Sequence, residues 1–120
     1  MRLGAMPRRR DKKLLVAIGR RFQEVRRAHG WTQETLAEAL DIEPVTLSRY
    51  ERGHRALSLS TLALAAKTMG VGLAELLDTD LPPPKATRAP GEGQVLRFWT
   101  GMDEERRDLA LRILREIARR

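Results

Sequence analysis

WTQETLAEALDIEPVTLSRYERG, Trp31 to Gly53, reads as two short helices joined by a tight turn. Thr32 is placed to cap the first helix by accepting a bond from a free backbone N–H. Leu36, Ala37 and Leu40 then fall at i, i+1 and i+4, on one apolar face. Asp41 takes the turn, where a short polar residue tolerates left-handed backbone. Pro44 suits the first turn of the next helix, expected over Pro44 to Arg52, because its missing N–H has no partner to lose there. Leu47 and Tyr50 turn this second helix inward. Val45, Thr46, Ser48, Arg49 and Arg52 are left on its outer or flanking surface. Gly53 stops it by accepting a positive φ.

Outward from this pair the helical period continues. Leu15, Ile18, Phe22 and Val25 predict a helix from about Lys12 to Ala28, ended by Gly30. Ser58 is placed to cap a helix from Leu59 to Met69, with Leu59, Leu62, Ala65, Ala66 and Met69 on its inner face. Gly72 opens a fifth, short helix through Leu77. The expectation is an all-α body of five helices over residues 12–78.

Residues 1–11 read as a basic, flexible arm. Residues 79–94 contain Pro82-Pro83-Pro84 and Pro90-Gly91 and read as an extended, Pro-rich linker. Residues 95–120 read as a C-terminal helical segment. In it, a short helix around Val95–Trp99 stops near Gly101, and an amphipathic helix follows from about Asp103 to Ala118. Its stripe of Leu109, Ala110, Ile113, Leu114, Ile117 and Ala118 must be covered. It can pack on its own body or on a second copy. Because the linker separates it from the body, dimerisation through Leu109, Ile113, Leu114 and Ile117 is the favoured reading.

The net charge of +7 is unevenly spread. Residues 1–29 carry ten Lys or Arg against two acids, residues 30–81 four against eight, and residues 82–120 nine against six. The helix pair therefore lies in an acidic stretch flanked by basic ones. A polyanionic partner would be gripped by few core residues or by the basic arm. No cysteine is present, which excludes disulfides and thiolate metal sites. There is no signal-like apolar run at the start and no stretch long enough to span a bilayer, so a cytoplasmic protein without membrane contact is expected. His29 and His54 are isolated, and neither a His-Glu-x-x-His motif nor a phosphate-cradling glycine loop occurs. Neither enzymatic activity, nor a cofactor, nor a metal site is expected.

With Gln33, Leu36, Ala37, Leu40, Ile42, Thr46, Leu47, Ser48, Arg49, Glu51 and Gly53 in these places, the segment resembles the helix-turn-helix of the Xre, or Cro and lambda-repressor-like, family. The likeness runs from about Ile18 to Leu77. Three positions depart from the pattern. Asp41 stands where the family usually has Gly, which implies a more strained turn. Glu43 stands where it often has Ser, which implies a weaker cap on the second helix of the pair. Thr35 stands where a Glu would complete a capping box.

The resemblance implies binding to double-stranded DNA. The helix from Pro44 becomes the recognition helix, entering the major groove with Val45 and Arg49 toward base edges. Arg49 offers a planar fork for guanine, and Val45 an apolar contact for a thymine methyl. Gln33, Thr46, Ser48, Arg52 and Arg55 are the expected phosphate contacts. Arg8, Arg9, Arg10, Lys12 and Lys13 form a basic arm able to follow the DNA backbone or groove. Arg26 and Glu51 match positions at which the family holds a partly buried ion pair, so Glu51 is expected to be structural.

A homodimer reading a palindromic operator as a transcriptional repressor is the leading expectation, with recognition helices about 34 Å apart. The alternatives are an antitoxin of a toxin–antitoxin pair that represses its own operon, or an adaptor of the same fold that does not grip DNA. A toxin or a polymerase component would then be the protein partner.

Overall fold

The computed structural model describes residues 9–119. These residues form seven helices and no strand: α1 (Arg9–Ala28), α2 (Gln33–Ala39), α3 (Pro44–Glu51), α4 (Leu59–Met69), α5 (Leu73–Leu77), α6 (Glu92–Gly101) and α7 (Glu104–Ala118). Helix α1 begins three residues before the expected Lys12. Arg9 and Arg10 therefore lie on a helix rather than on a flexible arm. Arg and Lys are good helix formers, and Asp11 stands in the first turn where a negative charge meets the positive helix end. Arg8 lies outside the described residues.

The turns follow from local chemistry. Thr32 caps α2 by accepting from the Thr35 N–H at 3.1 Å, and the Thr35 hydroxyl oxygen accepts from the Thr32 N–H at 3.2 Å. A capping box is thus closed by Thr35 itself, correcting the expectation that only Glu would complete it. Helix α2 ends with Asp41 at φ 54°. The Ile42 N–H reaches the Ala37 carbonyl, and the Asp41 N–H the Glu38 carbonyl. This pattern satisfies carbonyls that the helix end leaves free. Glu43 precedes α3 and makes no side-chain cap bond, as its replacement of Ser implied.

Helix α1 packs on α3 and α5, α2 on α3, and α4 on α5. Phe22, Val25, Leu36, Leu40, Leu47, Tyr50, Leu62, Ala65, Met69 and Leu76 enclose one core. Phe22 meets Tyr50 edge to face, centroids 5.2 Å apart. Gly19 lets α1 lie directly on α3, because a Cβ there would strike the Tyr50 carbonyl oxygen and stand 2.7 Å from that of Glu51. Leu59, expected on the inner face of α4, is 65% exposed. It is the first helical residue and lies one turn before Leu62, where the core begins.

The Pro-rich segment is pinned to the body rather than free. The buried Arg21 donates to the carbonyls of Glu75 and Pro82, at 2.9 and 3.0 Å. The Thr87 N–H and hydroxyl both donate to the Ala28 carbonyl at 3.0 Å, and the Gly93 N–H donates to that of Gly30. Gly93 is pressed against the Trp31 indole, where a Cβ would clash. The strap leads into α6 and α7. At their corner Arg107 donates to the Trp99 and Thr100 carbonyls and lies over the Trp99 ring. No helix among the described residues is long and apolar enough to cross a membrane.

Candidate nucleic-acid interface

Helix α3 has two sides with different duties. Leu47, Tyr50 and Glu51 are buried against the body, while Val45, Arg49 and Arg52 are exposed and Thr46 and Ser48 half-exposed. Val45 and Arg49 are one turn apart and share the outer face. Nothing in the described chain covers them, and Val45 keeps half its surface open. The Arg49 guanidinium makes no ion pair among the described residues. It retains the five N–H donors a guanidinium offers.

Behind this face lies a buried polar cluster. The Arg26 guanidinium grips the Glu51 carboxylate with two parallel bonds, Nε to Oε2 at 2.6 Å and Nη2 to Oε1 at 2.9 Å. Its Nη1 donates to the Trp31 carbonyl at 2.7 Å. The two side chains are 6% and 0% exposed. Arg26 thereby ties α1 to the last residue of α3 and to the residue before the α2 cap. A bidentate fork fixes orientation as well as distance.

Gln33 enters the same cluster, its Nε2 donating to Glu51 Oε1 at 2.8 Å. The family resemblance implies only a phosphate contact for this amide. An amide nitrogen carries two donors, so one N–H is held by Glu51 and the other remains for an outside acceptor. Arg52, the other expected clamp beside α3, bonds back through Nε to the Ser48 carbonyl at 3.3 Å. Arg55 is exposed just past the helix end. Gly53 lies against the backbone of Val16, with room for no Cβ. Exposed Lys12 and Lys13 stand about one turn before Val16. The basic start of α1 is therefore brought to the end of α3 that carries Arg52 and Arg55.

Tyr50 is the anomaly of the site. Its hydroxyl is buried without a hydrogen-bond partner among the described residues. Burial, and then the neighbouring Glu51 carboxylate, push its pKa up to about 12. The ring fills the core against Phe22, and the hydroxyl comes with it.

Sequence reasoning missed three positions. Gly19 looks like an ordinary helical weak point, and only the approach of α3 gives it meaning. Arg21 reads as one more exposed base, yet it fastens the strap. Trp31 reads in the sequence only as the start of the helix pair. Its carbonyl receives Arg26 and its ring receives Gly93. Leu109, Ile113, Leu114 and Ile117 stay out of this site, each with half or more of its surface exposed on α7. Among the described residues, no group of His, Asp or Glu is arranged to hold a metal ion.

Comparison with known proteins agrees with this geometry. The helix-turn-helix family matches residues 22–76, from the middle of α1 into α5. The chain is similar to an uncharacterized HTH-type transcriptional regulator, YazB, of Bacillus subtilis (strain 168), at 37% identity over 67 residues. That alignment covers 56% of this chain and 91% of the relative. No solved structure matches the chain. With the helix pair, its turn and its buried α1–α3 contact in place, the chain belongs to the Xre-like, Cro/CI-type helix-turn-helix family.

Proposed function

We propose that this protein is a transcriptional regulator that binds duplex DNA through α3. One observation carries the reading: Val45 and Arg49 stand open, side by side, on a short helix whose other face is locked into the core. A helix held this way can enter a major groove without rearranging. Arg49 and Val45 read bases, while Gln33, Thr46, Ser48, Arg52 and Arg55 contact phosphates. Arg9, Arg10, Lys12 and Lys13 add backbone contacts beyond the end of α3 from a helical start, not a flexible one. The similarity to a protein named as a transcriptional regulator supports the same assignment.

The finer reading is a homodimer, joined through α7, that occupies a palindromic operator and represses by excluding polymerase. The exposed stripe of α7 supports it, since apolar surface of that kind marks an interaction site. The same stripe also fits a second reading, in which a toxin or a polymerase component covers α7. Co-purification of a small partner in place of a self-associated protein would favour that one.

The test is selection of bound fragments from genomic DNA, followed by gel shifts with Arg49→Ala. The variant should lose about 1–3 kcal/mol of specific binding and relax preference at one base pair. If it binds the selected site and a scrambled duplex as the parent does, α3 does not read bases. If no fragment is selected at any salt concentration, the adaptor reading replaces DNA binding.

A further inference from the structure

We propose that α7 pairs with α7 of a second copy in antiparallel orientation. The inference rests on the dimer reading above and specifies its geometry. Leu109, Ile113, Leu114 and Ile117 are each exposed by half or more, and none of α7 is buried. Ile113 lies midway, four residues from Leu109 and four from Ile117. A two-fold axis near it brings Leu109 of one copy close to Ile117 of the other and makes the stripe self-complementary, as an isologous interface requires.

Charge selects the direction. Residues 103–108 hold four acids against Arg106 and Arg107, while residues 112–120 hold four arginines against Glu116. A parallel pair sets acidic start beside acidic start and basic end beside basic end. An antiparallel pair sets each acidic start toward a basic end. The helix dipoles act in the same sense, because the positive N-terminus of one helix then lies by the negative C-terminus of the other. The intrahelical pairs Arg106–Asp103, Arg112–Asp108 and Arg119–Glu116 are exposed and long, at 3.4 to 3.9 Å, and so are weak competitors.

The chain has no cysteine, so single-cysteine variants report without background. Leu109→Cys and Ile117→Cys, both at exposed positions, are made in the full chain, one carrying a mass tag. Each is oxidised alone and, after mixing under reducing conditions, together; sedimentation gives the oligomeric state. Eight helical residues span about 12 Å, whereas a disulfide needs its Cα atoms within about 7 Å. The expected result is a tagged–untagged disulfide in the mixture and little cross-linking of either variant alone. Cross-linking of each variant alone, with none between them, makes the pair parallel: the proposal fails while the dimer stands. A sedimenting dimer with no cross-link removes α7 from the interface and overturns the proposal. A monomer at all concentrations overturns both.

Discussion

Glu51→Ala tests the cluster that holds the reading helix. The substitution removes a carboxylate that accepts two bonds from Arg26 and one from Gln33, at 2.6 to 2.9 Å. It leaves the Arg26 guanidinium, 6% exposed, without its counter-charge. Breaking one side of a buried pair costs about 3–5 kcal/mol, mostly from stranding the surviving charge. A small domain has about 5–15 kcal/mol in all, so the variant should be visibly destabilised in urea at neutral pH. Replacing both partners by apolar groups of similar size, as in Arg26→Met with Glu51→Leu, strands no charge and leaves only the Trp31 carbonyl and the Gln33 amide without these partners. That double variant should recover most of the loss. Urea melts followed by helical circular dichroism supply both numbers. The reasoning is refuted if Glu51→Ala costs less than about 1 kcal/mol, or if the double variant is as unstable as the two single changes summed.

Tyr50→Phe removes the unpartnered hydroxyl, so the variant should be as stable as the parent or more so at pH 7. The Tyr50 pKa is raised from 10 to about 12 on folding, so its neutral form is favoured in the fold and stability is intact below pH 10. This contribution should fall as the pH rises from 10 to 12 in the parent and not in the variant, as paired melts across that window would reveal. Gly19→Ala would help an open helix by up to about 1 kcal/mol. Here its methyl meets the Tyr50 and Glu51 carbonyls, so a lowered Tm is expected, and a raised one would contradict the close packing of α1 on α3. Asp41→Gly relieves a side chain held at φ 54° and should stabilise by about 0.5–1 kcal/mol, readable as a shift in the urea midpoint.

Features that depend on near neighbours were legible in the sequence. Thr32, Asp41, Pro44, Gly53 and Ser58 punctuate the chain, and a cap or turn is made within four residues of each. Spacing of Leu36, Leu47, Tyr50 and Leu62 marked the faces that meet. The outer face of α3 was therefore legible as what remained once the core residues were assigned. The Arg26–Glu51 pair was legible only through family resemblance, since a separation of 25 residues leaves no local signal.

Contacts between distant segments account for the rest. Whether Arg21 floats or fastens depends on where α5 and Pro82 arrive. Whether residues 82–93 tether or strap depends on the carbonyls left free at the end of α1, which Thr87 and Gly93 find from far along the chain. Gln33 turns part of its amide inward because Glu51 lies within reach. Leu59 shows the converse, an apolar residue in helical register that stays 65% exposed. Periodicity states which residues share a face. Only the packing of distant segments states what, if anything, that face touches.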